Sequence, residues 1–546
     1  MYKCIIIIAA LCIYVWAEKN SDSLSVIDDS GAIYIPDPGR IAQDRIKKIR
    51  AFIEQNSLSQ NDSIQERKPE FPITLDDATE KLITNNKVVQ KAKLEYLIGE
   101  KRFHATFGTF EPYFTGNHEF SRAQRRDALL IESRETLRGG IEGVLPTGTR
   151  YGYSLTQKNI RYPQNTLDWP GITSTVSITQ PLLKDFLGNG PLSDVKIAKT
   201  DRQIAYNRYR ATLMAQCYDL ESTYWKLVYL QEKRRNAEIS VAIANQIVDD
   251  SRTLVASGKM SKLDAVEVTS QLAKRKIALS SVKIEHVSAM NNLMQMLGYS
   301  ADSALISPTA VTPLLVNPDE QIPDSLSIKV IDSLVAANQP DLLSAKYTRV
   351  RSQLTVFQQK GKTLPELNLT GAMGVSGENK VFNKAVDLFF DPERNKHNWA
   401  VGVEVKIPLC FGIREWNILK AEKLNAEVSE IDEKSLRNEL TTQAVLTAEK
   451  IRDFAHNLTN AALVVGYRNS LLQSELVQLR AGLSNARKIF EMEQELANAR
   501  EGELDIRAQF RMSLSFYDRL LGMTLNKRGL EEIRNGKPVL VKELYR

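Results

Sequence analysis

Between residues 192 and 307 the chain contains no proline and only two glycines, Gly258 and Gly298. Tyr206, Tyr209, Leu213, Cys217, Leu220, Tyr224 and Leu227 recur there at spacings of three and four, the period of a coiled-coil seam. The pattern predicts a helix from about Leu192 to Ser257, ~100 Å long at 1.5 Å per residue and far beyond the usual globular length. Gly258 then turns the chain, and Ser261 with Asp264 forms a capping-box-like start. Ile277, Ile284, Val287, Met290, Met294 and Leu297 are expected to be the buried stripe of the returning helix. A second proline-free run, Leu409 to Lys537, repeats the plan around Gly482.

A different period precedes each hairpin. Tyr151–Gln157 and Ser174–Gln180 alternate between Tyr, Leu, Val or Ile on one face and Ser, Thr or Gly on the other. Trp399–Ile407 alternates more cleanly. A half-buried sheet and a barrel wall, with lipid outside and water inside, both fit this alternation. Ahead of the first strand block, Thr74 is an N-cap with Asp77 in the capping-box position. Leu75, Ala78, Leu82, Val89, Ala92 and Tyr96 continue a helix to about Phe107, which Glu111-Pro112 ends. A helix from about Ser325 to Lys362, interrupted at Gln339-Pro340, precedes the second block, where a loop is expected around 373–397.

The two halves are copies. Gly258 to Gly298 and Gly482 to Gly522 span the same 40 residues, and Leu297-Gly298 and Leu521-Gly522 end both. Glu111-Pro112-Tyr113-Phe114-Thr115-Gly116 is echoed by Pro365-Glu366-Leu367-Asn368-Leu369-Thr370-Gly371, and Gln180-Pro181-Leu182-Leu183 by Ile407-Pro408-Leu409-Cys410. The expected organisation is a signal peptide over 1–17, an extension over 18–71, and a first repeat over 72–303, with strands in 112–181 and a helical hairpin over 182–300. A Pro-rich linker follows at 304–324. The second repeat covers 325–525, with strands in 365–407 and a hairpin over 409–522, and a tail covers 526–546.

Charge changes this picture little. The net charge of +6 is spread along the helices, and no basic cluster with interleaved aromatics suggests nucleic-acid binding. Lys3 followed by the apolar run Cys4–Trp16 and by Ala17 reads as an export signal, too short to span a bilayer as an anchor. Ala9-Ala10-Leu11-Cys12 resembles a lipoprotein signal, but Leu11 is too large beside a lipidated cysteine. No later segment reads as a transmembrane helix, so insertion into a membrane would fall to strands. Cys217 and Cys410 are expected to lie ~54 Å apart along the hairpin, which excludes a disulfide within one subunit. His104, His118, His286, His397 and His456 show no metal-ligand spacing, and no nucleotide, hydrolase or redox motif is present. Neither an enzyme nor a cofactor is implied.

The ordered, duplicated set of Pro-Leu junctions, Gly-turn hairpins and Leu-Gly endings resembles the outer-membrane efflux proteins, the TolC-like family, over about residues 72–525. The resemblance implies a mixed α and β fold in which long antiparallel hairpins form a trimeric α-barrel and strands from both halves form a shared transmembrane β-barrel. It implies a homotrimer in outer-membrane lipid, extending into the periplasm and serving as a passive exit duct for efflux or type I secretion. A periplasmic adaptor and an inner-membrane transporter would be its partners. Pro181 and Pro408 would mark the strand–helix junctions, and Gly258 and Gly482 the periplasmic tips. Acidic residues six and nine positions after the second tip glycine often line the family's aperture; Lys488 and Glu491 stand there, the first a departure. The length of 112–181 is a second departure, read as an added hairpin or as one strand bent at Leu145-Pro146-Thr147-Gly148-Thr149. A periplasmic coiled-coil adaptor or scaffold is the competing reading, but it leaves the two equivalent strand blocks unexplained.

Overall fold

A computed structural model describes residues 70–125, 130–162, 167–186, 190–258, 260–299, 307–310, 327–408, 412–480, 484–534 and 537–541. The expected signal peptide and nearly all of the extension, together with Gly482 and Cys410, lie outside the described residues.

The first repeat opens with a short strand, β1 (Glu70–Ile73), and two helices, α1 (Leu75–Asn85) and α2 (Lys87–Ala105). The sequence suggests one helix here. The chain breaks it at Asn86, whose side chain accepts from the amides of Val88 and Val89 at 2.8 and 3.2 Å and so starts a new helix. The capping box at Thr74 and Asp77 is present. Four strands follow: β2 (Tyr113–Arg125), β3 (Leu130–Val144), β4 (Arg150–Tyr162) and β5 (Leu167–Pro181). The long first block is therefore an added hairpin. The first helical hairpin is α3 (Pro191–Ala256) and α4 (Lys262–Met296), the former 66 residues long. Within the expected linker, β6 (Ser307–Ala310) pairs in parallel with β1.

In the second repeat, α5 (Ile328–Asn338) and α6 (Pro340–Lys362) are separated at Gln339, as read from the sequence. Strand β7 (Glu366–Glu378) leads to α7 (Phe382–Phe390), a helix where a loop was expected, and then to β8 (Lys396–Lys406). The second hairpin is α8 (Ile413–Arg480) and α9 (Ala486–Leu520). The expected tail instead forms α10 (Thr524–Lys527) and the hairpin of β9 (Glu531–Arg534) with β10 (Lys537–Leu540). It is pinned to the body: buried Glu531 accepts from Arg210 Nε at 2.7 Å, and Arg528 bonds Glu221 at 2.8 Å. Burial pushes the Glu531 carboxyl up, and the Arg210 charge opposes that shift.

The six long strands form one antiparallel sheet in the order β2-β3-β4-β5-β7-β8, so both repeats contribute to it. The helices pack alongside one another, α4 on α3, α3 on α9, and α9 on α8, with α6 between α3 and α8. From Tyr209 to Leu227 the predicted α3 seam is buried, with Leu213, Leu220, Tyr224 and Leu227 fully so. The stripe expected on α4 is partly mistaken. Met290 and Leu297 are buried, but Ile277, Ile284 and Val287 are exposed, and the buried face runs through Val268, Val282, His286, Ala289 and Leu293. Both faces of α4 carry apolar residues, and only its contact with α3 decides which one is covered. Cys217 is a free, buried thiol whose pKa burial pushes up to about 12, consistent with a small packing residue.

The two Leu-Gly endings do the same job in each copy. Gly298 (φ +79°) lies against Asn85 at the α1–α2 break, and Gly522 (φ +72°) against Asn338 at the α5–α6 break. A Cβ would approach backbone atoms at 2.7 and 2.6 Å. Gly258 (φ +73°) has open space around it. A side chain in the left-handed region costs roughly 1–2 kcal/mol at any of the three, and overpacking adds roughly 1–3 kcal/mol only where backbone is in the way. Gly298→Ala and Gly522→Ala should therefore each lower the thermal unfolding midpoint clearly more than Gly258→Ala. Equal shifts in a melting series would contradict this account of the closures.

Candidate functional site

Two regions gather the candidate residues: the collar where strand becomes helix, and the hairpin tips.

At the collar β5 ends on Pro181, and the amide of Leu182 makes one last bond to the Leu367 carbonyl of β7 at 2.7 Å. Proline has no donor to extend the ladder, so pairing stops here. Asp185 (φ +63°) bends the chain, and α3 begins after Gly190 with Pro191 in its first turn. The β3–β4 turn folds onto this bend. Thr149 Oγ1 donates to Gln180 at 2.5 Å, and a Cβ on Gly148 would sit 2.4 Å from the Asp185 carbonyl. That turn therefore lies at the helical end of the sheet. In the second repeat Pro408 follows β8, and Gly412 (φ +68°) precedes α8. The two junctions are tied together: Glu366 at the start of β7 pairs with Lys184 at 2.7 Å and with Lys406 at 3.5 Å.

At the tips, Gly258 supplies the positive φ of the first turn, and Ser261 Oγ accepts from the Asp264 amide at 3.2 Å. In the second hairpin Asn485 takes the place of Ser261, accepting from the Lys488 amide at 2.9 Å. Lys488 also reaches across the turn to Glu475 of α8, Nζ to Oε1 2.9 Å. The Ser484 hydroxyl bonds that same nearly buried carboxylate. The Ser484 hydroxyl first, and then Lys488, hold the Glu475 pKa below its ordinary value. Glu491 is exposed and meets Arg487 one helical turn away at 3.2 Å. Two residues further on, and so on another face of the helix, Glu493 is buried and faces the first hairpin, paired with Arg275 of α4 at 2.6 Å and bonded by Ser240 of α3. Ile247, Val268, Leu472, Ile489, Phe490 and Leu496 form an apolar core around it, drawn from all four long helices.

Residues 152–299 match the model of the outer membrane efflux protein family. This chain has the outer-membrane efflux protein fold. Solved structures extend the likeness to most of its length at low identity. The CmeC outer membrane channel of Campylobacter jejuni superposes with a TM-score of 0.62 at 14% identity, over 82% of this chain and 86% of that one. The outer membrane protein VceC of Vibrio cholerae gives 0.61 at 14%, over 82% and 96%. The open state of the MtrE outer membrane channel of Neisseria gonorrhoeae gives 0.59 at 12%, over 82% and 89%. No curated protein sequence matches significantly.

Within the efflux-protein fold the candidate residues separate. Pro181 and Pro408 stand at the strand–helix passages and Gly258 at a tip. Lys488 and Glu491 share the second tip but not a role: Lys488 is engaged within its own hairpin, and Glu491 is open to solvent beside Arg487. Sequence reasoning missed Glu475, Asn485 and Arg275 as partners. Asn485 was legible, because an asparagine three residues before Lys488 has N-cap spacing. Glu493 also left a sign, standing between Phe490 and Leu496 at the spacing of a buried stripe. Glu475 left none, since only the closed turn brings it to Lys488.

A carboxylate whose pKa is lowered on folding contributes stability above its unfolded value, here 4.5, and that contribution is lost as pH falls through the lowered value. Amide exchange across residues 484–495 should therefore accelerate selectively in acid below pH 4.5. Glu475→Gln should exchange faster at neutral pH and lose the acid dependence. A variant as protected as the parent would show that the Lys488–Glu475 contact does not hold the tip.

Proposed function

We propose that this protein is an outer-membrane efflux channel, a passive duct formed by three copies of the chain. The observation that carries this reading is the division of the sheet into two unlike faces. Through the registers of all six strands, Ile141, Tyr153, Val176, Met373, Trp399 and Val401 fall on one face, all of them exposed in the single chain. The opposite face carries Thr115, Ser154, Thr156, Thr175, Ser177 and Thr370. Strands of 11–15 residues are long enough to cross a hydrocarbon core at the usual tilt. Lipid outside and water inside is the arrangement that such a wall serves.

The chain cannot close this wall alone, because β2 and β8 are its unpaired edges. The helices present the same situation. Leu424, Val428 and Ile431 on α8 and Ile277 and Ile284 on α4 are exposed on the two flanks of the helical layer. Other copies covering these stripes while pairing the strand edges would satisfy both needs, and three is the number implied by the family resemblance. Among the described residues no helix is long and apolar enough to cross a membrane, which leaves spanning to the sheet. The hairpin tips, remote from the sheet along helices of 66 and 68 residues, would meet the periplasmic adaptor and, through it, an inner-membrane transporter. Glu491 would contribute to the aperture there. A soluble scaffold would have no use for a sheet apolar on one side.

Purified in detergent, the protein should run as a trimer and conduct ions in planar bilayers. A water-soluble protein without conductance would defeat the proposal. Val428→Glu with Ile431→Glu should yield monomers of unchanged helix content by light scattering and circular dichroism, because charge on a covered stripe leaves unpaired carboxylates. Glu491→Ala should weaken block by divalent cations from the tip side, whereas unchanged block would remove Glu491 from the aperture.

A further inference from the structure

The added hairpin brings charges to the polar face of the sheet, and two positive ones, Arg138 and Lys158, stand on adjacent rows. The row of paired residues that crosses the sheet through Arg138 reads Asn117, Arg138, Thr156, Thr173, Ser376 and Lys396. The next row away from the helices contains Glu119, Lys158 and Glu378, and Arg134 lies on the same face one row beyond. The next row towards the helices, through Gly140 and Thr175, has no charged residue. Lys396 and Glu378 neutralise one another at 3.2 Å. Arg138 and Lys158 are exposed and have no carboxylate within ion-pair distance among the described residues, and Arg138 donates only to the Thr156 hydroxyl at 3.3 Å. Their positions are diagonal across the β3–β4 ladder, close enough to add their fields, and Glu119, diagonal to Arg138 across β2–β3, offsets only part of that charge.

We propose that Arg138 and Lys158 form a cationic band near the outer mouth that favours anionic solutes, those bearing phosphate, sulfate or carboxylate groups, at the exit. The inference rests on the channel reading, which makes this face the wall of a water-filled lumen. Three copies then repeat the pair around the pore, and rings of fixed charge in a narrow aqueous path select against ions of like sign. The selectivity-determining charge stands on strands that the sheet gains from its longer first block, separated by one uncharged row from Glu142 on the collar side.

The test is the reversal potential of single channels in a potassium chloride gradient at low ionic strength, where fixed charges are least screened. The parent should prefer chloride over potassium. Arg138→Ser with Lys158→Ser should lower the permeability ratio about threefold at nearly unchanged conductance, and Arg138→Glu with Lys158→Glu should favour potassium. Arg138→Lys with Lys158→Arg should keep the parent ratio, which separates lost charge from altered folding. A serine variant that conducts with the parent ratio overturns the proposal while leaving the channel reading intact. A parent that does not conduct overturns the channel reading itself, and this inference with it.

Discussion

Unpaired strand edges dominate this structure. A six-stranded sheet that is apolar on one face can be neither left in water nor placed in lipid with its β2 and β8 edges open, because each unbonded amide and carbonyl costs several kcal/mol in a medium without water. The same incompleteness runs through the helices, where α4 and α8 expose apolar stripes on opposite flanks of one layer. Sheet and helices therefore raise a single demand, and closure by further copies of the chain answers both. The collar transmits the constraint between them: Pro181 and Pro408 stop the ladders, and Glu366 ties the two passages together through Lys184 and Lys406.

Against that demand for partners, each copy of the repeat locks itself internally. Both returning helices end by pressing a Leu-Gly against the break between two helices of the same repeat. The segment after the second ending then crosses back to the first half, where the buried Arg210–Glu531 pair and the Arg528–Glu221 contact hold it. Removing one member of a wholly buried pair leaves a charge without a partner, so these contacts fix where the halves meet. At the opposite end, Glu493 plays a comparable part between the hairpins through Arg275 and Ser240.

The helical hairpins were legible because their signals are long and redundant. A seam from Tyr209 to Leu227, a turn at Gly258 and a proline-free run cannot easily mean anything else, and α3 begins within one residue of its expected start. The strand blocks were legible in place but not in number. The first resolved into four strands because Leu145–Thr149 is a tight turn rather than a bend, and local composition supports both. The buried face of α4 was misread for a related reason, since apolar residues line both of its sides and periodicity does not rank them. The expected tail failed differently: Glu531 becomes buried and Arg528 half-buried only through partners more than 300 residues away.

Local patterns in the chain therefore settled what is local: element type, hairpin length, the duplicated plan, the glycines that require positive φ and the prolines that end ladders. They could do so because these features depend on backbone geometry and on residues a few positions apart. The tertiary structure alone decided which of two apolar faces is covered, which charges are paired and which remain open on the wall. Lys488 shows the difference most clearly. Its position suggested an aperture residue, and the turn pairs it with Glu475, because the partner of a charge is chosen by distance in space, which the spacing along a helix does not record.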